Sequence, residues 1–522
     1  MSSLLEVRDL TIDYGSVRAV RGVDLRLDSG AVLGIAGQSG SGKTSVAHSL
    51  LRLLPRTAKV GGSIVFRGED LNTVSWGRIR AVRWAGASIV FQGAMSALNP
   101  VRTVGAQIAE PVLLHERVSR TAARERASEM LDAVGVPAER AGAYPHELSG
   151  GQRQRVMIAM ALACRPELVI ADEPTTALDP IVQAQVLALL TKMVRQRGIG
   201  MLMISHDLPA LGAACDEIAV MKDGEIVESG PSGTLLVEPG HPYTQLLTRS
   251  FPHVGDSQSR MVSDAPPAGE ALLEARELRV SFRGRGGRAP LRAVDGVSLT
   301  IGGGEIVALI GESGSGKSTL ARALLGLIRP DGGQVVYRGQ ALGFSAAALK
   351  RHRRQVQLVP QDPVGSLDPR RTVFDAVAEG PRLHGMRDGL TEWVHTVLEQ
   401  AGLRPPEEFT GRYPRELSGG QQQRVVIAGA LALGPSAIVA DEPTASLDPP
   451  ARGEILRLIA GLRDKLGLSA LVISHDLGLA WNIADRVAVM RSGAIVESGP
   501  VAEILTSPRH EYTRALLAAA PG

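Results

Sequence analysis

The octapeptides GQSGSGKT (37–44) and GESGSGKS (311–318) both carry the pattern G-x-x-x-x-G-K-[ST]. Each follows a short apolar run ending in glycine, AVLGIAG (31–37) and IVALIG (306–311). Each precedes a helix-forming segment, SVAHSLLRLL and STLARALLGLI. A strand, a glycine-rich loop and a helix in that order suit a phosphate cradle. The glycines let the backbone curl so that successive N–H groups point at phosphate oxygens. The helix N-terminus adds a favourable dipole. Lys43 and Lys317 would reach β- and γ-phosphates, and Thr44 and Ser318 would ligate Mg²⁺.

Further residues able to act on a phosphate end other apolar runs. Asp172 closes LVIAD and Asp441 closes AIVAD, positions suited to holding a metal through its water shell. Glu173 and Glu442 follow directly and could polarise an attacking water. Gln92 and Gln361 end ASIVFQ and VQLVPQ, within reach of metal or water. His206 and His475 follow MLMIS and ALVIS, where an imidazole could meet the γ-phosphate.

These residues come in pairs because the chain is written twice. LSGGQRQRVMIAMALA (148–163) returns as LSGGQQQRVVIAGALA (417–432), and VIADEPTTALDP (169–180) as IVADEPTASLDP (438–449). GEIVESGP (224–231) returns as GAIVESGP (493–500), and HPYTQLLTRS (241–250) as HEYTRALLAA (510–519). The tail tyrosines Tyr243 and Tyr512 give the offset, 512 − 243 = 269. A unit of about 250 residues has the size of a domain. The reading is one domain at 1–250, a linker at 251–271 rich in Ser, Pro, Gly and Asp, and a second domain at 272–522. Short buried strands alternating with helices predict an α/β fold around a largely parallel sheet. The stretches from Gln92 to Ser149 and from Gln361 to Ser418 read as mainly helical. In the tails, Tyr243, Leu246 and Leu247, and Tyr512, Ala515 and Leu516, are expected on one apolar helix face, with Pro242 in a first helical turn.

Composition narrows the function classes. Lys and Arg number 57 against 54 Asp and Glu, a net charge of +3 in 522 residues, which gives no reason to expect nucleic acid as the main partner. Cys164 and Cys215 are the only cysteines. Without CxxC spacing they read as two small buried residues in a reducing compartment. No run of about 18 apolar residues suggests a membrane span, and the N-terminus lacks a secretory pattern.

The ordered set resembles the ATP-binding cassette (ABC) ATPases over nearly all of both halves. It comprises the Walker A loops, the Gln92 and Gln361 loops, LSGGQ (148–152 and 417–421), the DE pairs, ALD (177–179) and SLD (446–448), and the switch histidines. The resemblance implies two tandem P-loop cassettes, each a RecA-like α/β core with an antiparallel β subdomain and a helical subdomain. It implies two ATP sites, each shared between one Walker A and the other half's LSGGQ. One would join Gly37, Ser39, Gly40, Ser41, Gly42, Lys43, Thr44, Ser45, Gln92, Asp172, Glu173 and His206 with Ser418, Gly419, Gly420 and Gln421. The other would join Gly311, Ser313, Gly314, Ser315, Gly316, Lys317, Ser318, Thr319, Gln361, Asp441, Glu442 and His475 with Ser149, Gly150, Gly151 and Gln152. Thr44, Gln92, Asp172, Ser318, Gln361 and Asp441 would serve the metal. Tyr14 fits the family's adenine-stacking aromatic and Phe282 the matching position. Both sites are expected to hydrolyse ATP.

The helical-region segments FQGAMSALNP (91–100) and PQDPVGSLDPR (360–370), with the HPYT and HEYT tails, resemble the peptide/nickel importer subfamily. The resemblance implies a peripheral ATPase on the cytoplasmic face of the inner membrane. Its partners would be two integral-membrane permeases and an extracytoplasmic binding protein for di- or oligopeptides. A nickel or metallophore importer shares the pattern. A soluble tandem-cassette ATPase acting on ribosomes or nucleic acid is the more distant alternative: the linker at 251–271 is short and uncharged by comparison with the long charged helical one of such translation factors, and neither Lys43 to Asp172 (172 − 43 = 129) nor Lys317 to Asp441 (441 − 317 = 124) shows coiled-coil or zinc-module insertions. Many relatives carry a cysteine-rich tail; this chain does not, so no iron–sulfur cluster is expected.

Overall fold

The computed structural model describes residues 3–93, 97–175, 178–250, 254–262, 269–282, 290–445 and 447–519. The chain divides at Arg249/Ser250 into two compact units. Parts of the expected linker, the loop after Phe282, Ala177 and Ser446 of the ALD and SLD segments, and residues 94–96 lie outside the described residues.

The first unit pairs β1 (Leu5–Tyr14), β2 (Val17–Leu27), β4 (Ala58–Phe66) and β5 (Glu69–Asp70) in an antiparallel sheet of order β2-β1-β4-β5. Its second sheet uses β3 (Val32–Ala36), β6 (Ala87–Val90), β7 (Leu168–Asp172), β8 (Gly200–Ser205), β9 (Glu217–Lys222) and β10 (Glu225–Pro231), in the order β10-β9-β3-β8-β7-β6. Neighbours are parallel except the β9–β10 hairpin. Every residue of β3, β7 and β8 is buried, as continuous apolar strands require when both sheet faces are covered. β1 and β2 instead alternate buried and accessible positions, the pattern of a sheet with one wet face.

The Walker A helix, Lys43–Ser49, packs between the two sheets. Val46 and Leu50 join Leu10, Ile12 and Val20 on one side and Ile170 and Leu202 on the other in one core cluster. Each such side chain contributes about 1.5–3 kcal/mol on burial. The helix is shorter than its apolar run suggests. Arg52 N–H donates to Ser49 and Leu53 N–H to the His48 carbonyl, with Arg52 at φ 49°. That left-handed residue closes the helix by the αL stop that usually recruits glycine.

The second unit repeats this plan. β11 (Ala271–Phe282), β12 (Leu291–Gly302), β14 (Gly332–Tyr337) and β15 (Gln340–Ala341) form the antiparallel sheet. β13 (Ile306–Ile310), β16 (Val356–Val359), β17 (Ala437–Asp441), β18 (Ser469–Ser474), β19 (Arg486–Arg491) and β20 (Ala494–Pro500) form the other, ordered β16-β17-β18-β13-β19-β20. Its Walker A helix, Lys317–Leu324, ends on the same motif, here with Gly326 at φ 63°.

The helical regions include Val104–His115 and Arg120–Ala133 in the first unit, and Val373–Leu383 and Leu390–Gln400 in the second. Both lead into the signature helices Gly150–Leu162 and Gly419–Leu431.

One expectation is corrected. In the tail helix Pro242–Arg249 the buried positions are Tyr243, Thr244 and Leu247, while Leu246 is 50 % exposed. In Glu511–Ala519 they are Tyr512, Thr513 and Leu516, with Ala515 outward. The face runs i, i+1, i+4 because the hydroxyl-bearing side, not Leu246, meets the cassette. The segment 254–262 is no free spacer. Arg260 Nη1 donates to the Trp481 carbonyl at 2.9 Å, Met261 N–H to the Asn482 carbonyl at 2.8 Å, and Trp481 Nε1 to the Asp256 carbonyl at 2.8 Å. With the Arg260 guanidinium 5.4 Å over the Trp481 ring, the segment docks on the second unit.

Candidate active site

All the strand-end residues of the first unit gather at the C-terminal edge of its six-stranded sheet, where β3, β6, β7 and β8 run parallel. β3 delivers the Walker A loop. Gly42 precedes the helix at φ 102°, and a Cβ there would stand 2.5 Å from the Ala19 carbonyl oxygen. Gly316 repeats this at φ 108°, with 2.1 Å to the Ala293 oxygen. Only glycine fits both demands. Lys43 is buried, and its Nζ donates to the carbonyls of Gly37 (2.7 Å) and Gln38 (2.8 Å). Lys317 does so to Gly311 (2.6 Å) and Glu312 (2.7 Å). Each ammonium thus sits inside the curl of its own loop.

Thr44 Oγ1 lies 3.3 Å from Asp172 Oδ1, and Ser318 Oγ 3.3 Å from Asp441 Oδ1. Burial pushes both aspartates above the ordinary carboxylate range. A hydroxyl beside a carboxylate offers the hard oxygen donors Mg²⁺ prefers. Among the described residues no cluster of three or more His, Cys, Asp or Glu could hold a metal alone. The pair fits a metal that completes its shell with phosphate and water oxygens.

Glu173 and Glu442 leave the strand line in left-handed conformations, φ 45° and 46°. Such a φ on a non-glycine residue costs about 1–3 kcal/mol and persists where the surroundings fix it. Here the Glu173 N–H donates to the Ile204 carbonyl at 2.9 Å, and the Glu442 N–H to that of Ile473 at 2.9 Å. The turn swings each carboxylate between two partners. Gln92 Nε2 donates to Glu173 Oε2 at 2.7 Å, and His206 Nδ1 stands 3.1 Å from Oε1. For Glu442 the distances are 2.8 Å from Gln361 and 3.0 Å from His475. Burial opposes charge on both Glu442 and His475. Their mutual contact outweighs it, holding the carboxyl below its ordinary value and the imidazole above.

The signature residues form helix caps. Ser149 Oγ accepts from the Gln152 N–H (3.3 Å) while Gln152 Oε1 accepts from the Ser149 N–H (3.1 Å). Ser418 and Gln421 match this at 3.3 and 2.9 Å. This capping box leaves Gly150 and Gly151, and Gly419 and Gly420, in the first turn of a 13-residue helix, whose N-terminus favours anions. Asp179 and Asp448 cap the helices Pro180–Arg197 and Pro449–Leu466.

Tyr14 ends β1, and its hydroxyl donates to Ser45 Oγ at 3.1 Å, placing the ring beside the Walker A helix. Phe282 ends β11 at the matching position and is 43 % exposed.

Sequence reasoning missed several neighbours. His48 Nε2 stands 3.5 Å from Asp172 Oδ2. Arg322 takes the matching place, and its charge acts on Asp441. The tail also reaches the loop: the Gln38 N–H donates to Tyr243 Oη at 3.0 Å, and the Glu312 N–H to Tyr512 Oη at 2.9 Å. The twofold occurrence of ESGP and YT at one offset was the available signal.

Two P-loops, each with a carboxylate clamped between glutamine and histidine and a capped signature helix, define an ABC-type ATPase. The chain belongs to the ABC transporter family, whose profile matches residues 20–176 and 294–445. A second profile, "Oligopeptide/dipeptide transporter, C-terminal region", matches 227–276 and 496–522. The chain is 42 % identical over 542 residues to the glutathione import ATP-binding protein GsiA of Salmonella choleraesuis (strain SC-B67), covering 97 % of this chain and 87 % of that protein. It is 41 % identical over 560 residues to GsiA of Escherichia coli (strain K12), covering 99 % and 90 %. Among solved structures it is similar to cbiO1 of Clostridium perfringens, part of the ABC transporter complex cbiONQ. There the identity is 28 % and the TM-score 0.41, over 45 % of this chain and 91 % of that one.

Proposed function

We propose that this chain is the ATP-hydrolysing subunit of an importer for short peptides, glutathione-like molecules among them, and that both cassettes turn ATP over. The observation carrying the second half is that neither constellation lacks a member: Glu173 and Glu442 each hold a glutamine and a histidine within 3.1 Å. The peptide reading rests on the tail profile and on the GsiA relatives along nearly the whole chain.

In this reading Lys43 and Lys317 leave their loop carbonyls for the β- and γ-phosphates. Thr44 with Asp172 and Ser318 with Asp441, assisted by Gln92 and Gln361, hold Mg²⁺, which supplies positive charge to the phosphate oxygens. The Glu173 and Glu442 carboxylates accept a proton from the attacking water, and His206 and His475 fix their orientation. Ser149 and Ser418 accept from their own helices and so keep a hydroxyl proton to donate to a γ-phosphate. Tyr14 and Phe282 would flank the adenine. Of the three domain assignments, we infer that 254–262 goes with the second cassette.

The chain contains, among the described residues, no helix long and apolar enough to cross a membrane. We infer that two integral-membrane permeases would carry the path, with this chain on their cytoplasmic side and an extracytoplasmic binding protein selecting cargo. The test is reconstitution with the candidate permeases and binding protein in vesicles. Glutathione or a dipeptide on the binding protein should raise ATP turnover and accumulate inside. Stimulation by nickel alone, with peptides inert, would overturn the peptide assignment.

A further inference from the structure

The tail of each cassette reaches the nucleotide-binding loop through a tyrosine hydroxyl, and that contact falls on one peptide unit. In the first cassette the Gly37–Gln38 peptide presents its carbonyl to Lys43 Nζ (2.7 Å) and its N–H to Tyr243 Oη (3.0 Å). In the second, the Gly311–Glu312 peptide presents its carbonyl to Lys317 Nζ (2.6 Å) and its N–H to Tyr512 Oη (2.9 Å). The lysine must leave when phosphate arrives; the tyrosine need not. We propose that Tyr243 and Tyr512 are positioning residues of the ATPase: each phenol holds the first peptide of its Walker A loop in the nucleotide-ready orientation while the lysine changes partners.

The tyrosines are themselves held in place. Glu228, on β10, accepts from the Gly240 N–H (2.7 Å) and the His241 N–H (3.1 Å). His241 Nδ1 then accepts from the Tyr243 N–H (3.1 Å) at the helix start. Glu497, Arg509, His510 and Tyr512 repeat the arrangement at 2.7, 3.2 and 3.0 Å. A cation covers each ring, Lys222 at 5.2 Å and Arg491 at 4.9 Å. Both rings are buried. Glycine 37 itself is pressed against β9: a Cβ there would stand 2.2 Å from the Met221 oxygen. The peptide is therefore fixed on one side by the sheet and on the other by the tail. An acceptor bound at the N–H end of a peptide also polarises it, which strengthens the carbonyl that Lys43 grips. The histidine, tyrosine and threonine of the repeated tail thus acquire separate jobs: cap, loop brace and buried face.

The inference uses the ATPase reading but not the importer reading, and its test needs only the full chain. In Tyr243→Phe/Tyr512→Phe the ring, its burial and the cation contact remain. ATP should bind roughly 3- to 10-fold more weakly, the range for losing one such hydrogen bond, and KM should rise with it. Tyr243→Phe alone should shift one of two binding classes. Leu246→Ala, on the same helix, should shift neither. Unchanged ATP affinity in the folded double variant would overturn the proposal. Wild-type protein gives a second reading: amide exchange at the Gln38 and Glu312 positions should be slow, and fast exchange there would equally overturn it. Failure of the wild type to bind ATP would instead refute the ATPase reading.

Discussion

Replacing both switch histidines with alanine removes one of the two groups that fix each catalytic carboxylate. The N···O separations, 3.1 Å for His206–Glu173 and 3.0 Å for His475–Glu442, are nearly equal, so both sites should suffer alike. A hydrogen bond to a charged group contributes about 1.5–3 kcal/mol. If that is expressed in orienting the base for the transition state, kcat falls roughly 10- to 150-fold. Gln92 at 2.7 Å and Gln361 at 2.8 Å still tether Oε2 of each carboxylate. KM for ATP should stay within about threefold, because the lysines and loop amides are untouched. Loss of His475 also removes the contact that holds Glu442 below the ordinary carboxylate range against its burial. Its carboxyl should rise, and the acid limb of the rate profile should move to higher pH. The assay is steady-state phosphate release by His206→Ala/His475→Ala across pH. A kcat within threefold of wild type, with an unmoved acid limb, would refute the assignment of these histidines.

Two predictions concern groups outside the site. His352 is buried, its Nε2 donates to the Leu324 carbonyl at 2.7 Å, and its Nδ1 has no hydrogen-bond partner among the described residues. Burial lowers its pKa. Below the ordinary histidine range the unfolded chain therefore takes up a proton that the folded one refuses. Stability of the second cassette should fall as pH drops from 7 toward 5.5, and His352→Gln should flatten that slope in thermal unfolding. Burial pushes the Cys164 thiol up to about 11 and that of Cys215 to about 12. A thiol reagent at pH 8 should label neither in the native protein within minutes, and both once denaturant is added.

The chemistry of the site was legible because it is local. A P-loop, a strand-end DE pair and a glycine-rich cap each announce themselves within eight residues, and their repetition, at offset 311 − 37 = 274 for the P-loops and 441 − 172 = 269 for the others, showed that none was accidental. Contacts across long chain separations were not legible. Nothing in HPYT says that its tyrosine meets an amide 205 residues earlier. The buried tail face was misplaced because Leu246 looks apolar while Thr244, fully buried, does not. The left-handed turns at Glu173 and Glu442 carry no glycine or asparagine signal; the neighbouring strands impose them. The segment 254–262 has linker composition, and contacts with Trp481 and Asn482, more than 220 residues beyond, turn it into a docked strap.

The central claim is that both cassettes hydrolyse ATP with Glu173 and Glu442 as the bases. Glu173→Gln and Glu442→Gln, made separately in the full chain and assayed for ATP turnover, test it most directly. Each substitution keeps size and removes the proton acceptor, so each site it strikes should lose about 10²–10⁴-fold in rate, and each variant at least half of total turnover. A variant with the turnover of wild type would show that its site contributes nothing and would contradict the account.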